Sequence, residues 1–125
     1  MANVLVVEDE ADLRDILSYN LVQAGHRVEL AATGDEGLRI AKTVAIDVVL
    51  LDLMLPDMPG TELAARLHVS HPNLRVIVMS GYVEDIAMHH DVRAAGARFL
   101  NKPFSRDELL DTIRSVFEEP RLEAT

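Results

Sequence analysis

The sequence predicts an α/β domain in which a parallel sheet is covered by helices on both faces. Two observations lead there. Strand-like and helix-like patterns alternate along the chain in units of roughly 20–25 residues, the rhythm of strand–helix–strand crossovers. Several strand-like runs, residues 4–7 and 48–51 among them, are apolar throughout rather than alternating, as strands covered on both faces are.

The elements follow in order. β1 is the run 4–7. Leu13, Ile16, Leu17, Leu21 and Ala24 recur at helical spacing to form α1, and Gly25 sits where a C-terminal cap belongs. β2, residues 27–31, is more polar and reads as an edge strand. Thr33 followed by Glu36 fits a capping box that opens α2, which extends to about residue 43. β3 covers 46–51, and two prolines and a glycine mark 56–60 as a loop. α3 covers 61–70 and is stopped by Pro72; β4 covers 75–79. α4, residues 84–95 with Gly96 as its cap, offers only Met88, Val92 and Ala95 as an apolar face and is expected to be the most mobile helix. β5 covers 98–101. Ser105 with Glu108 is a second capping box, opening α5, whose buried stripe is Leu109, Ile113 and Val116 and whose end is Pro120. Such alternation implies right-handed crossovers and one doubly wound domain, residues 1–119, followed by a short tail, 120–125.

Composition narrows the function. The 125 residues are enough for one domain with its own core. The absence of cysteine excludes thiolate metal sites and disulfides. The start lacks a basic region and its apolar stretch ends in three acids, unlike a signal peptide, and no apolar run approaches the roughly 20 residues of a membrane helix. A cytoplasmic protein with no membrane partner is expected. The formal charge of −9, with 12 scattered basic residues, argues against direct nucleic-acid binding, which draws on clustered Lys and Arg.

Where the charged residues fall is more telling. The run 4–7 ends in Glu8-Asp9, 48–51 in Asp52, 76–79 in Ser80, and 97–100 leads into Asn101-Lys102. In a parallel sheet these positions share one edge, beyond the carboxyl ends of the strands, where open α/β sheets bind ligands. Three carboxylates, a hydroxyl and an ammonium at one edge suit a metal ion and a phosphoryl group. Taken singly, Glu8 and Asp9 would also suit capping of α1, and Ser80 or Lys102 alone would read as ordinary strand-end residues. Asp52 has no evident capping partner. Lys102-Pro103 marks a fixed turn, with a cis peptide as one option.

Four segments carry a family resemblance: Val-Leu-Val-Val-Glu-Asp-Glu (4–10), Asp-Val-Val-Leu-Leu-Asp-Leu-Met-Leu-Pro-Asp-Met-Pro-Gly (47–60), Val-Ile-Val-Met-Ser-Gly-Tyr (76–82) and Gly-Ala-Arg-Phe-Leu-Asn-Lys-Pro-Phe (96–104). In this order and at these intervals, the chain resembles the receiver domain of two-component response regulators, of the chemotaxis-regulator type, along nearly its whole length. The resemblance implies a flavodoxin-like (βα)5 fold with strand order 2-1-3-4-5, in agreement with the edge character of β2. It also implies Asp52 as acceptor of a phosphoryl group from a histidine kinase or histidine phosphotransfer protein. Glu8, Asp9, Asp52 and the backbone carbonyl of Met54 would hold Mg²⁺. Ser80 and Lys102 would contact the phosphoryl group, and Ser80 with Phe99 would form the switch.

The residue chemistry agrees. An aspartate is already ionised at neutral pH and so is a usable nucleophile toward phosphorus. Mg²⁺ prefers oxygen ligands and offsets repulsion between that charge and the donor's, while a lysine and a hydroxyl serve the remaining phosphoryl oxygens. The expected switch moves Ser80 toward the phosphoryl group, lets Phe99 turn inward, and shifts α4, giving an α4-β5-α5 output face for a downstream protein or output domain. Tyr82, His89 and the edge of Phe99 are candidate contacts there. The apolar Met54 side chain is expected to slow loss of the phosphoryl group relative to a polar residue.

Rival readings remain in view. A haloacid-dehalogenase-type phosphatase needs a second aspartate at position 54, where this chain has Met. A flavodoxin needs a Ser/Thr-rich phosphate loop after β1. A pseudo-receiver acting by protein contact alone is the remaining alternative, and a monomer and a phosphorylation-dependent dimer are both compatible with the sequence. His68 and His71 lack an obvious carboxylate partner, His89-His90 point apart and read as surface, and the methionines at 54, 58, 79 and 88 read as core filler or loop anchors.

Overall fold

The computed structural model describes residues 1–81 and 97–118. Five strands, β1 Asn3–Val7, β2 Arg27–Ala31, β3 Val48–Asp52, β4 Arg75–Ser80 and β5 Arg98–Asn101, form one parallel sheet in the order β2-β1-β3-β4-β5. The helices are α1 Ala11–Gln23, α2 Gly34–Thr43, α3 Gly60–Ser70 and α5 Arg106–Glu118. The expected α4 with its Gly96 cap, residue 119 and the tail 120–125 lie outside the described residues.

The continuous apolar runs are explained by two cores, one on each face of the sheet. Leu5, Val7, Val49, Leu51, Val76 and Val78 meet Ala41 of α2 and Leu63 and Leu67 of α3. Their chain neighbours Val4, Val6, Val48, Leu50, Ile77 and Met79 meet Leu17 and Leu21 of α1 and Leu109, Ile113 and Val116 of α5. Successive side chains of a strand point to opposite faces, so a strand between two cores must be apolar at every position. β2 is covered less completely, as expected at an edge. No described helix is long and apolar enough to cross a membrane.

The capping box of α5 forms as expected, and that of α2 forms with its return bond moved one residue earlier, to Ala32. Thr33 Oγ1 accepts the Glu36 N–H at 3.1 Å, while Glu36 Oε1 accepts the N–H of Ala32 at 2.6 Å. Ser105 and Glu108 exchange bonds of 3.0 Å each. Gly25 has φ +93°, the left-handed value that a C-terminal cap requires.

Two readings are corrected. Ile16 is 57% exposed and Ala24 is exposed, because only the line Leu13, Leu17, Leu21 faces the sheet and Ile16 turns outward with Tyr19 and Val22. β3 begins two residues later than expected: Asp47 instead uses its carboxylate to accept the Asn3 N–H at 2.8 Å. β3 also extends through Asp52, and β4 through Ser80, so both functional candidates are strand-end residues held in the ladder.

Candidate functional site

Parallel register brings the candidates to one edge. Val7 pairs with Leu51, Asp52 with Met79, and Ser80 with Asn101. Glu8 therefore leaves β1 beside Asp52, and Lys102 leaves β5 facing both. The backbone N–H of Lys102 donates to the Ser80 carbonyl at 2.7 Å, extending the ladder by one bond beyond β5. The Lys102-Pro103 peptide is cis.

Carboxylate oxygens of Glu8, Asp9 and Asp52 lie within 4.8 Å of one another. Lys102 Nζ donates to Glu8 Oε1 and to Asp52 Oδ2, each at 2.8 Å. The second oxygens are also engaged: Glu8 Oε2 accepts the Glu10 N–H at 3.0 Å, and Asp52 Oδ1 accepts the Met54 N–H at 3.1 Å. Glu8 is buried and Asp9 exposed. Burial pushes the Glu8 carboxyl above its ordinary range, against the lowering effect of the Lys102 and Glu10 hydrogen bonds, and the charge of Asp52 pushes it further up. Burial would lower Lys102, but its bonds to Asp52 and Glu8 outweigh this and hold the ammonium above its ordinary value.

The acids meet the start of α1 only through Glu8, which accepts the N–H of Glu10. The N-cap of α1 is Glu10, which makes no side-chain cap bond. Arg14, one turn into α1, instead reaches back so that Nη1 donates to the carbonyls of Glu8 at 2.8 Å and Asp9 at 3.4 Å. That guanidinium fixes the β1–α1 turn, and the sequence reading did not single it out.

The pocket sets three carboxyl groups against a single ammonium. Among the described residues the clustered donors are all hard carboxylate oxygens. Such a donor set fits a small hard divalent cation of the Mg²⁺ or Ca²⁺ kind, not zinc or copper.

The other candidates fall as follows. Ser80 ends β4 and is 2% exposed. Phe99, half-buried on β5 opposite Val78, packs against the core under α2 and α3. The Met54 side chain is 66% exposed and so is neither core filler nor anchor. Met79 is core, and Met58 anchors its loop by packing against that core and lying over Gly34. A Cβ on Gly60 would collide with the Asp52 carbonyl oxygen, so the turn after the loop passes the acid at a distance only glycine permits. His68 and His71 are tied to backbone carbonyls of Leu74 and Ala41, both at 3.0 Å; His89, His90, Tyr82 and Met88 lie outside the described residues.

A family model described as the response regulator receiver domain matches residues 4–114. The chain belongs to that family. The receiver is 32% identical to sporulation initiation phosphotransferase F of Bacillus subtilis, over 89% of this chain and 90% of that protein. It is 36% identical to the sensor kinase CckA of Brucella abortus over 94% of this chain, but spans only 13% of that protein. It likewise spans 55% of the transcriptional regulatory protein AfsQ1 of Streptomyces coelicolor, at 30% identity. The chemotaxis response regulator CheY4 of Vibrio cholerae superposes with a TM-score of 0.83 at 33% identity, covering 93% of this chain and 98% of that one. The domain is thus a phospho-accepting switch of the two-component class, with the expected fold and strand order.

Proposed function

We propose that Asp52 is the phosphoryl acceptor of this receiver. The observation that carries the reading is the cluster of Glu8, Asp9 and Asp52 at the strand ends, bridged by Lys102 with two bonds of 2.8 Å. The donor is a phosphorylated histidine of a kinase or phosphotransfer protein. An Asp52 carboxylate oxygen forms the new P–O bond, the P–N bond breaks, and the histidine nitrogen leaves with the electron pair and takes up a proton.

Glu8, Asp9, Asp52 and the Met54 carbonyl are the residues that would hold Mg²⁺. When bound, the cation supplies neutralising charge for the acids and the transferred group. Lys102 is already within bonding reach of Asp52 and has only to exchange one carboxylate contact for a phosphoryl oxygen. Ser80, at the buried end of β4, donates its hydroxyl to another phosphoryl oxygen, and Phe99 turns into the space this opens. Driving such a two-state element from 1:99 to 99:1 requires about 5.5 kcal/mol of differential stabilisation, a large part of which charge-assisted bonds to the phosphoryl group can supply. The readout runs through the α4-β5-α5 face to a protein partner or output domain.

The test is intact-protein mass after incubation with acetyl phosphate, with and without Mg²⁺, for the native chain and Asp52→Asn. One phosphoryl adduct that needs Mg²⁺ and vanishes in the variant is expected. Folded native protein that takes no adduct would overturn the proposal in favour of a receiver acting by contact alone.

A further inference from the structure

We infer that Asp57 is a positioning residue for the cation, acting through the loop that carries the Met54 carbonyl; the inference rests on the ligand assignment proposed above. Asp57 lies on the β3–α3 loop, yet its carboxylate is spent on α2. Oδ1 accepts the Gly34 N–H at 2.8 Å and Oδ2 the Asp35 N–H at 2.9 Å. These two bonds hold the carboxyl below its ordinary range. The following residue, Met58, lies so close over Gly34 that a Cβ there would meet its Sδ at 2.7 Å. The loop tip and the start of α2 are therefore joined by a two-pronged polar tether and a close apolar contact.

The Asp57 bonds cap the two first-turn amides of α2 that Thr33 and Glu36 leave open, and they do so from a separate element. Thr33 already accepts the Glu36 N–H, and Glu36 the N–H of Ala32. What Asp57 adds is a link between a helix start and a loop more than twenty residues later. The base of that loop is fixed independently: the Leu53 N–H donates to Met79 O at 3.0 Å, and the Gly60 N–H to Leu53 O at 2.7 Å. Met54 lies between this base and the Asp57 tether. Its exposed side chain anchors nothing, and its N–H donates to Asp52. Its backbone pairs with Pro59, two residues past Asp57, which is the route by which the tether reaches it.

A carbonyl ligand differs from a side-chain ligand in one respect. It has no rotamer with which to correct its position, so its placement is that of the loop. Mg²⁺ demands near-ideal octahedral geometry at short distances, so loosening the tip weakens this ligand even when Glu8, Asp9 and Asp52 are untouched.

The experiment is calorimetric titration with Mg²⁺ alone, without phosphoryl donor, of the native chain, Asp57→Ala, Asp57→Asn and Thr33→Ala. Urea unfolding accompanies each. Asp57→Ala is expected to weaken Mg²⁺ by about tenfold, as loss of an outer partner of a metal ligand does. Asp57→Asn keeps one acceptor oxygen and should recover part of the loss. Thr33→Ala removes a cap from the same helix while leaving the tether, and should bind Mg²⁺ like the native chain. Native-like affinity in Asp57→Ala, or equal weakening in Thr33→Ala, would overturn the inference while leaving the ligand assignment standing. Failure of the native chain to bind Mg²⁺ would overturn the assignment, and the inference with it.

Discussion

Lys102→Met is the substitution on which the electrostatics of the pocket can be judged. The ammonium makes two bonds of 2.8 Å, to Glu8 and Asp52, and all three side chains are mostly shielded from water. Charge-assisted bonds contribute about 1.5–3 kcal/mol each, and removing one partner of a buried pair strands the other's charge. Two features limit the loss. Lys102 no longer has to be desolvated, and Glu8, already pushed up by burial, can shed its charge by taking a proton. A net destabilisation of about 3 kcal/mol follows, a fall in Tm of roughly 10 °C for a domain of this size. Methionine keeps the length and apolar stem, so the loss is not one of packing. The assay is thermal unfolding by circular dichroism in EDTA and again in excess Mg²⁺. A ligand at a hundred times its Kd stabilises by about 2.7 kcal/mol, and in the variant the cation meets acids that no ammonium neutralises. Mg²⁺ should therefore raise the Tm of Lys102→Met more than that of the native chain. A variant that melts at or above the native temperature in EDTA, or equal Mg²⁺ increments in the two proteins, would refute the view that Lys102 holds the acids together when Mg²⁺ is withdrawn.

Two further outcomes are expected. Met54 is exposed two residues from Asp52, the proposed acceptor; on that proposal its apolar side chain should hinder an attacking water, so Met54→Asn should shorten the phosphoryl lifetime several-fold, measured by decay of the intact-mass adduct, and an unchanged lifetime would refute this. His26 is lowered from its ordinary value mainly by burial, with a smaller effect of the N-terminal ammonium, and its Nδ1 accepts the Ala2 N–H at 3.0 Å. The unfolded chain thus binds this proton more readily, so stability should fall as pH drops below about 6.5, by at most about 1.4 kcal/mol per pH unit. His26→Gln should remove that part of the slope in urea unfolding between pH 7 and 5, and an identical pH profile in the variant would dismiss the effect.

The reach of sequence reading here follows the geometry of its rules. Capping boxes span three residues, so Thr33–Glu36 and Ser105–Glu108 could be read directly, as could the stripe Leu109, Ile113, Val116. The pocket was legible for a different reason. Lys102 is 94 residues from Glu8 and 50 from Asp52, but a parallel sheet puts every strand's carboxyl end on one edge. Identifying the strands was therefore enough to bring their terminal residues together.

No such rule governs contacts between layers. Asp57 reads as one more turn residue in a proline-rich loop until the loop's path past α2 is known, and then its carboxylate proves to be the partner of two helix amides. Arg14 reads as the polar face of α1, although its guanidinium turns back on the two acids' carbonyls. Ile16 fits the apolar periodicity and still faces outward, since periodicity marks a face without saying how wide a strip of it the sheet covers. The residues that bear charge at the site were thus visible from strand order, while those that hold its loops in place were not. A scan restricted to the acids, Ser80 and Lys102 would test the chemistry and leave untouched the tether that sets where a backbone ligand can stand.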